Sequence, residues 1–206
     1  MPAATHNSTV YEGGFSDPVG ASQLVFRALM EAMARPGSVH ALPEMTSPPA
    51  PLTASASALI ATLADADTPV WLDPALTKTS VVRDWIVFHT GAPITAHQSE
   101  AVFAVVAAPQ SLSALNGFSL GTQEFPDRST SVILQVSTLS EGAQLTLEGP
   151  GIKDRASLAP EPMPQHFTEQ WQANRQAFPR GIDLILAGHG CVAAMPRSTR
   201  LIRPEA

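Results

Sequence analysis

The sequence predicts an α/β domain whose helices and strands form layers around a mixed sheet. Segments with a helical spacing of apolar residues alternate with short apolar runs along the whole chain, and no internal repeat is present. Some runs are continuous, as in parallel strands buried on both faces, whereas others follow one another like the strands of a hairpin. The 206 residues suffice for one domain. We expect a flexible N-terminal segment over residues 1–14 and a single domain over residues 15–206.

The first half of the chain is predicted to be mainly helical. Val25, Leu29 and Ala32 recur at helical spacing, Asp17 precedes them as a plausible cap, and a Pro-Gly pair at 36–37 ends the helix. A proline-rich loop then leads to a helix of small residues that permits close packing. The predicted elements of this half are a helix over residues 18–35, a helix over 53–63, a strand over 68–73 and a helix over 79–89.

The second half of the chain is richer in predicted strands. Its apolar runs are short and are bounded by glycine, proline and polar residues, as is typical of strands. The predicted strands cover residues 101–108, 131–137, 143–148, 182–187, 192–195 and 199–203. Two further helices are predicted over residues 109–116 and 163–176.

Charge is sparse in this sequence. Charged residues make up 15% of the chain, against about 25% in an average soluble domain. The net charge is -6, and Lys78 and Lys153 are the only lysines among 12 basic residues. A broad basic face for nucleic acid or anionic lipid is therefore excluded, although single arginines can still bind an anion. So little charge suggests a surface shared with other protein.

The cysteine count and the lengths of the apolar runs indicate the cellular compartment. A single cysteine, Cys191, permits neither an internal disulfide nor a thiolate zinc site, which favours the reducing cytoplasm. The longest apolar runs are far shorter than a membrane span, and no signal peptide is visible at the N-terminus. We therefore expect a cytoplasmic protein.

One catalytic motif and one acidic pair suggest enzyme chemistry. Residues 117–121 match the G-x-S-x-G pattern around Ser119, but the required strand before the serine and helix after it are not predicted, so a glycine-containing loop is the alternative. Asp65 and Asp67 can coordinate Mg²⁺ or form a helix-to-strand turn, with Asp67 accepting backbone N–H bonds and Asp65 solvated. No catalytic residue is assigned from these patterns.

Three basic side chains are candidates for ligand contact. His89 ends an apolar helix, where it either satisfies terminal carbonyl groups or acts in a site. Arg27 lies on a largely apolar helix and Arg197 follows an apolar strand, and each can either bind an anion or form a structural ion pair. Both alternatives remain open from the residues alone.

Eight segments, taken in order, carry the most specific signal in the chain. They are residues 26–37 (FRALMEAMARPG), 63–72 (LADADTPVWL), 88–93 (FHTGAP), 121–122 (GT), 134–136 (LQV), 149–152 (GPGI), 178–186 (FPRGIDLIL) and 196–199 (PRST). Each segment is a weak signal alone, but eight in the right order over residues 15–200 are specific. Together they resemble the PhnH family, a subunit of the bacterial carbon-phosphorus lyase core complex. Ser119 lies outside all of them.

The resemblance implies a fold and a set of partners. It implies an α/β subunit that is locally similar to pyridoxal-phosphate-dependent transferases but lacks their active site. Lys78 and Lys153 lie outside the matching segments, so neither is expected to form a Schiff base, and no cofactor is expected. The family forms homodimers in isolation and joins PhnG, PhnI and PhnJ. PhnJ, which carries an iron-sulfur cluster, breaks the carbon-phosphorus bond, a role that one cysteine excludes here.

The resemblance also implies a function. With PhnG, PhnI and PhnL, the family is implicated in making α-D-ribose 1-methylphosphonate 5-triphosphate from ATP and methylphosphonate. The leading hypothesis is a required, non-catalytic assembly subunit in which Arg27 and Arg197 also contact a phosphonate or nucleotide phosphate. His89, Asp65 and Asp67 are the further ligand-binding candidates, and no metal site is assigned. The alternative is a stand-alone hydrolase that uses Ser119 or a metal at Asp65 and Asp67. An exposed apolar patch and a homodimer are expected in the leading case.

Overall fold

Within the described residues, the fold consists of five α-helices and ten strands, with short 3-10 turns between some of them. The computed structural model describes residues 10–78, 80–112 and 114–202. The helices are α1 (Pro18–Ala34), α2 (Ala54–Leu63), α3 (Pro74–Thr77), α4 (Ser80–Thr90) and α5 (Phe167–Gln176). The strands are β1 (His40–Ala41), β2 (Val70–Leu72), β3 (Ile94–Thr95), β4 (Phe103–Val106), β5 (Ser131–Gln135), β6 (Leu145–Glu148), β7 (Ala156–Leu158), β8 (Asp183–Gly188), β9 (Cys191–Met195) and β10 (Arg200–Ile202).

The strands form two sheets. The larger sheet has seven strands in the order β1-β9-β8-β5-β4-β2-β3. Strands β3, β2, β4, β5 and β8 are parallel, and β9 runs antiparallel to both β8 and β1. The smaller sheet is antiparallel, in the order β10-β6-β7. The predicted α/β class with a mixed sheet is therefore confirmed.

Side chains that alternate along the central strands build two cores. On β5, Ile133 faces the first core while Val132 and Leu134 face the second. Because successive strand residues point to opposite faces, both faces of the large sheet must be covered. Buried residues of α1, α2 and α4 cover the first face, and those of α5 and the small sheet cover the second.

Most predicted elements are present, with two corrections. The helix predicted over residues 109–116 is wrong: Pro109–Ser111 and Leu115–Gly117 form separate 3-10 turns, and residue 113 between them lies outside the described residues. Two isolated turns are too short to propagate a stable helix. The helix predicted from residue 163 begins at Phe167, because His166 adopts a left-handed φ of 53° just before it.

The ends of the chain bear on the predicted domain limits. Residues 1–9, most of the segment predicted as flexible, and residues 203–206 lie outside the described residues. The backbone carbonyl of Glu12 accepts a hydrogen bond from Trp85 Nε1 at 2.9 Å, and the Tyr11 ring meets Phe88 edge-on. Residues 10–14 therefore pack on α4. Within the described ranges, none of the helices has the length and apolar character needed to cross a membrane.

Candidate functional site

The carboxyl edge of the parallel strands is closed by a buried carboxylate. In open α/β sheets, ligands bind outside these strand ends, at the point where connections leave to opposite faces. Here that point lies between β2 and β4, since β2 leads to α4 in the first core and β4 leads to Leu112 in the second. Asp73, which is 3% exposed, follows β2. Its Oδ2 accepts N–H bonds from Ala107 at 2.9 Å and Ala108 at 2.8 Å.

Asp73 also begins the next helix. Its Oδ1 accepts the N–H of Leu76 at 3.0 Å, which caps α3. One side chain thus satisfies three backbone donors that an anionic ligand would otherwise meet. An oxyanion would have to displace this carboxylate, so the usual ligand position of such a sheet is occupied by the chain itself.

The amino edge of the parallel strands holds Arg197 and Asp183. Asp183 Oδ1 accepts bonds from the Arg197 backbone N at 2.8 Å and from its Nε at 3.1 Å, and Asp183 Oδ2 accepts a further bond from the guanidinium. The remaining arm of Arg197 donates to the carbonyl of Pro126. The two side chains are only 15% and 13% exposed. This geometry favours the structural ion pair, one of the two alternatives that the sequence left open for Arg197.

Asp65 and Asp67 form the turn between α2 and β2. Asp65 Oδ1 accepts the N–H of Asp67 and the hydroxyl of Thr68, both at 3.0 Å. The turn alternative is thus the one observed, although Asp65 and not Asp67 is the acceptor. Asp65 and Asp67 are exposed, and Thr68 is half-buried. Across the described ranges, no three His, Cys, Asp or Glu side chains come together as a metal site would require.

His89 lies beneath the N-terminal segment. Its ring contacts Trp85 with centroids 4.4 Å apart, and a Cβ at Gly14 would come within 2.5 Å of the imidazole. Burial lowers the pKa of His89 from its ordinary value of 6.5, and the backbone of Glu12 and Val10 offsets part of this. Among the described residues its Nε2 has no hydrogen-bond partner. His89 therefore joins α4 to residues 10–14.

Ser119 lies in an irregular segment and not at a nucleophile elbow. Its hydroxyl donates to the carbonyl of Arg128 at 2.9 Å, and a 3-10 turn, not a strand, precedes it. The isolated bridge of Leu120 with Ser129 follows, where the motif requires a helix. The loop alternative for the G-x-S-x-G match is the one observed.

Arg27 borders an open cavity of about 730 Å³ beside α1. The sequence allowed helix pairing of Arg27 and Arg35 with Glu31. The structure pairs only Arg35 with Glu31, at 3.1 Å, and Arg27 has no ion pair within the described residues. Asp17 and Glu44 line the same cavity. Of the two arginine candidates, Arg27 is therefore the one whose charged group remains available to a ligand.

The outer face of α1 is apolar. Val19 is 71% exposed, and Phe26 and Met30 are each 50% exposed. Their spacing places them on one stripe of the helix, beside the stripe that holds the buried Val25 and Leu29. An apolar stripe on a helix that already has a buried apolar face is typical of a protein interface.

Sequence reasoning missed Asp73 and Arg175 as polar groups of interest. An Asp followed by Pro is a recognisable helix start, so Asp73 had a local signal. Arg175 is described below, and its surroundings come from three distant segments, which left no local signal.

Comparison with known proteins decides the family. The model of the family described as bacterial phosphonate metabolism protein (PhnH) matches residues 13–202. This chain belongs to the PhnH family. The family inferred from eight sequence segments is thereby confirmed.

Two relatives of this PhnH-family chain are informative. The alpha-D-ribose 1-methylphosphonate 5-triphosphate synthase subunit PhnH of Rhizobium meliloti (strain 1021) is 46% identical over 199 residues, covering 97% of this chain and 99% of that protein. The putative C-P lyase subunit protein HtxG of Stutzerimonas stutzeri is 35% identical over 82 residues, covering 40% of this chain and 42% of that protein. The first likeness spans both cores and both edges of the large sheet.

Proposed function

We propose that this chain is the PhnH subunit of a ribose 1-methylphosphonate 5-triphosphate synthase in phosphonate catabolism. The observation that carries the proposal is the near full-length likeness to a protein named as that subunit. In this role it acts with PhnG-, PhnI- and PhnL-type subunits on ATP and methylphosphonate, and with PhnJ in the carbon-phosphorus lyase core complex. Its own contribution is assembly and anion binding. The single cysteine supports a cytoplasmic location.

The closed edges of the large sheet support a subunit over a stand-alone enzyme. Asp73 fills the usual ligand position, and Asp183 holds Arg197 at the opposite edge. The Ser119 hydroxyl donates a hydrogen bond to a carbonyl oxygen, and Asp65 forms a turn. These contacts give no support to the hydrolase alternative.

The fold proposal includes a distant relation to pyridoxal-phosphate-dependent transferases without their chemistry. A Schiff-base lysine needs a lowered pKa, usually through burial. Lys78 ends α3 and Lys153 lies in the β6–β7 connection, and both are exposed. Their placement supports a fold that carries no pyridoxal site.

The apolar stripe of α1 is the proposed contact surface, for a second copy in isolation and for partners in the complex. In such a contact, Phe26 and Met30 would each bury apolar surface that is now exposed to water. This burial would stabilise the contact by about 25 cal/mol per Å². Sparse charge along the chain agrees with such a surface.

Co-purification with PhnG, PhnI and PhnJ tests the assembly role. We expect a tagged parent chain to retain these subunits and a Phe26→Asp/Met30→Asp variant to lose them. Light scattering shows whether the variant also fails to form the homodimer. Val39→Asp is the matched control, since Val39 is 51% exposed but lies outside α1. A monomeric parent that recovers no subunit would contradict the proposal.

Growth on methylphosphonate as the phosphorus source tests the anion role of Arg27. We expect Arg27→Gln to impair growth while leaving the complex intact. The Arg27→Ala/Arg197→Ala double variant should grow less well still, because it also leaves Asp183 without its partner. Normal growth of both variants would remove Arg27 from the proposal and would leave the assembly role standing.

A further inference from the structure

A second polar cavity lies beside the small sheet and the end of α5. Its volume is about 400 Å³. The wall comes from three segments: the end of β6 with the connection after it, the last turn of α5, and Ser198 with Arg200 at the start of β10. The first segment is held close to α1, since a Cβ at Gly151 would approach the carbonyl oxygen of Ala34 to 2.0 Å. The close packing of this glycine fixes one wall of the cavity.

Arg175, in the last turn of α5, has an unmet hydrogen bond in this wall. Its Nε is buried and has no partner among residues 10–78, 80–112 and 114–202. The Phe178 ring covers one face of the guanidinium, with its centroid 4.7 Å from Cζ. A guanidinium stays charged in proteins, so it cannot relieve the deficit by losing a proton. The Nε is sealed from solvent, so an acceptor in the cavity binds the terminal nitrogens of the guanidinium, which lines the cavity.

The surrounding charges leave a positive excess. Glu148 is paired with Arg155 at 3.1 Å and with Arg200 at 3.6 Å, so one carboxylate is shared by two arginines. Asp154 also lines the cavity, and no ion pair to it is present among the described residues. Arg175 and Arg200 line the cavity together with Glu148 and Asp154, and Arg155 adds a third guanidinium from outside the lining through its pair with Glu148. The cavity favours an anion, and the carboxylates limit how much negative charge it accepts.

We propose that this cavity binds the tetrahedral oxyanion of a phosphate or phosphonate group, with Arg175 as its main ligand. The planar guanidinium donates two parallel bonds to such a group. Ser198 supplies a hydroxyl, and Arg200 contributes a second charge from the far side of the cavity. None of these residues borders the cavity beside Arg27, so this site is separate from the anion contact proposed above.

Nitrogen NMR of the arginine side chains provides a direct test on the purified full-length chain. We expect one Nε–Hε signal, absent from Arg175→Lys, to shift as inorganic phosphate or methylphosphonate is added at low salt. Calorimetry should show that Arg175→Lys weakens binding by about tenfold or more, because an ammonium cannot reproduce the fork. Arg83→Lys is the matched control: Arg83 is exposed and paired with Asp84, and its variant should keep the parent affinity.

The neighbouring carboxylate gives a test of opposite sign. Glu148→Gln releases Arg200 and removes a negative charge, so the affinity for phosphate should rise by about threefold to tenfold at low salt. If Arg175→Lys does not fold, the phosphate affinities of Glu148→Gln and Ser198→Ala test the proposal in its place. Unchanged affinity in Arg175→Lys, or no rise in Glu148→Gln, would overturn the proposal.

Variants of Arg27 and of Arg175 distinguish the two proposed anion sites from each other. Binding that is lost in Arg27→Gln and kept in Arg175→Lys would place the ligand beside α1 and would reject this inference. A parent chain that binds neither probe at millimolar concentration would also reject it, while the co-purification result for the assembly role would be unaffected. Binding lost only in the Arg175 and Ser198 variants would establish the second site.

Discussion

The edges of the large sheet differ from the rest of the molecule in whether their polar and apolar groups have partners within the chain. At the edges, the carboxylates of Asp73 and Asp183 are buried and their partners come from the chain itself. Away from the edges, the buried Nε of Arg175 has no described partner, and Phe26 is half exposed on α1. In an enzyme of this fold class, the unsatisfied groups would be expected at the carboxyl edge. Here these groups lie away from the carboxyl edge, as expected of groups that bind a partner or a ligand elsewhere on the molecule.

The largest expected effect is at the amino edge. Asp183→Ala leaves Arg197 charged, mostly buried and without its carboxylate, which should lower the free energy of unfolding by about 3–5 kcal/mol. Urea denaturation measures this. Asp183→Ala/Arg197→Met should recover part of the loss, because it removes the orphaned charge as well. A loss below about 1 kcal/mol for the single variant would mean that the pair behaves like a surface ion pair.

The carboxyl edge should respond less strongly. Asp73→Ala removes the acceptor of three backbone N–H groups, two of them on the segment after β4, so we expect a loss of about 2–3 kcal/mol in the free energy of unfolding. Asp17→Ala is the matched control, since Asp17 caps α1 through Gly20 alone and its loss should be about 1 kcal/mol.

The difference between Asp73→Ala and Asp17→Ala in the same urea titrations isolates the link between β2 and β4. Equal losses in the two variants would show that Asp73 acts only as a helix cap. The carboxyl edge would then remain open to a ligand, and the contrast between edge and surface would weaken.

The smallest stability effect among the carboxylates is expected at Asp65. It is exposed, and its oxygens accept bonds only within its own turn, so Asp65→Ala should cost about 0.5–1 kcal/mol. Thermal unfolding of the parent should be the same with Mg²⁺ and with a chelator. A rise in the melting temperature with Mg²⁺ that Asp65→Ala abolishes would restore the metal alternative.

The sequence predicted the fold class and most elements because both have local signals. Val25, Leu29 and Ala32 recur at helical spacing, and the continuous apolar runs of β5 and β8 mark strands buried on both faces. The strands of two or three residues, such as β1 and β3, are too short to show a period. The 3-10 turns near Pro109 were misjudged because apolar spacing alone does not distinguish them from a helix.

The polar partners were harder to foresee because they join distant parts of the chain. Asp183 and Arg197 meet only because β8 and β9 pair as an antiparallel hairpin with Gly188 opposite Cys191. Arg175 meets Ser198 and the connection after β6 only once the small sheet packs on α5. In the sequence, Arg27 and Arg197 were equally good candidates for binding an anion. Only the fold shows that Arg27 is exposed whereas Arg197 is paired with Asp183.

The last prediction concerns pH and the contact of residues 10–14 with α4. Burial lowers the pKa of His89 below 6.5, so the unfolded chain binds a proton at His89 at a higher pH than the folded chain does. This contribution to stability is fully present above pH 6.5 and is lost as the pH falls towards the folded-state pKa. Urea denaturation between pH 7 and pH 5 should therefore show a decrease that is smaller in His89→Gln.

His97→Gln is the matched control for this pH dependence. His97 is exposed and lies near β3, so its variant reports the effect of a His-to-Gln change at a residue that belongs neither to α4 nor to residues 10–14. Since His89 is partly open to solvent, the effect should be small beside the losses at Asp183 and Asp73. An identical slope in His89→Gln and the parent would show that the imidazole is accommodated equally well in both charge states. The packing of residues 10–14 would then depend on Trp85 and Tyr11 alone.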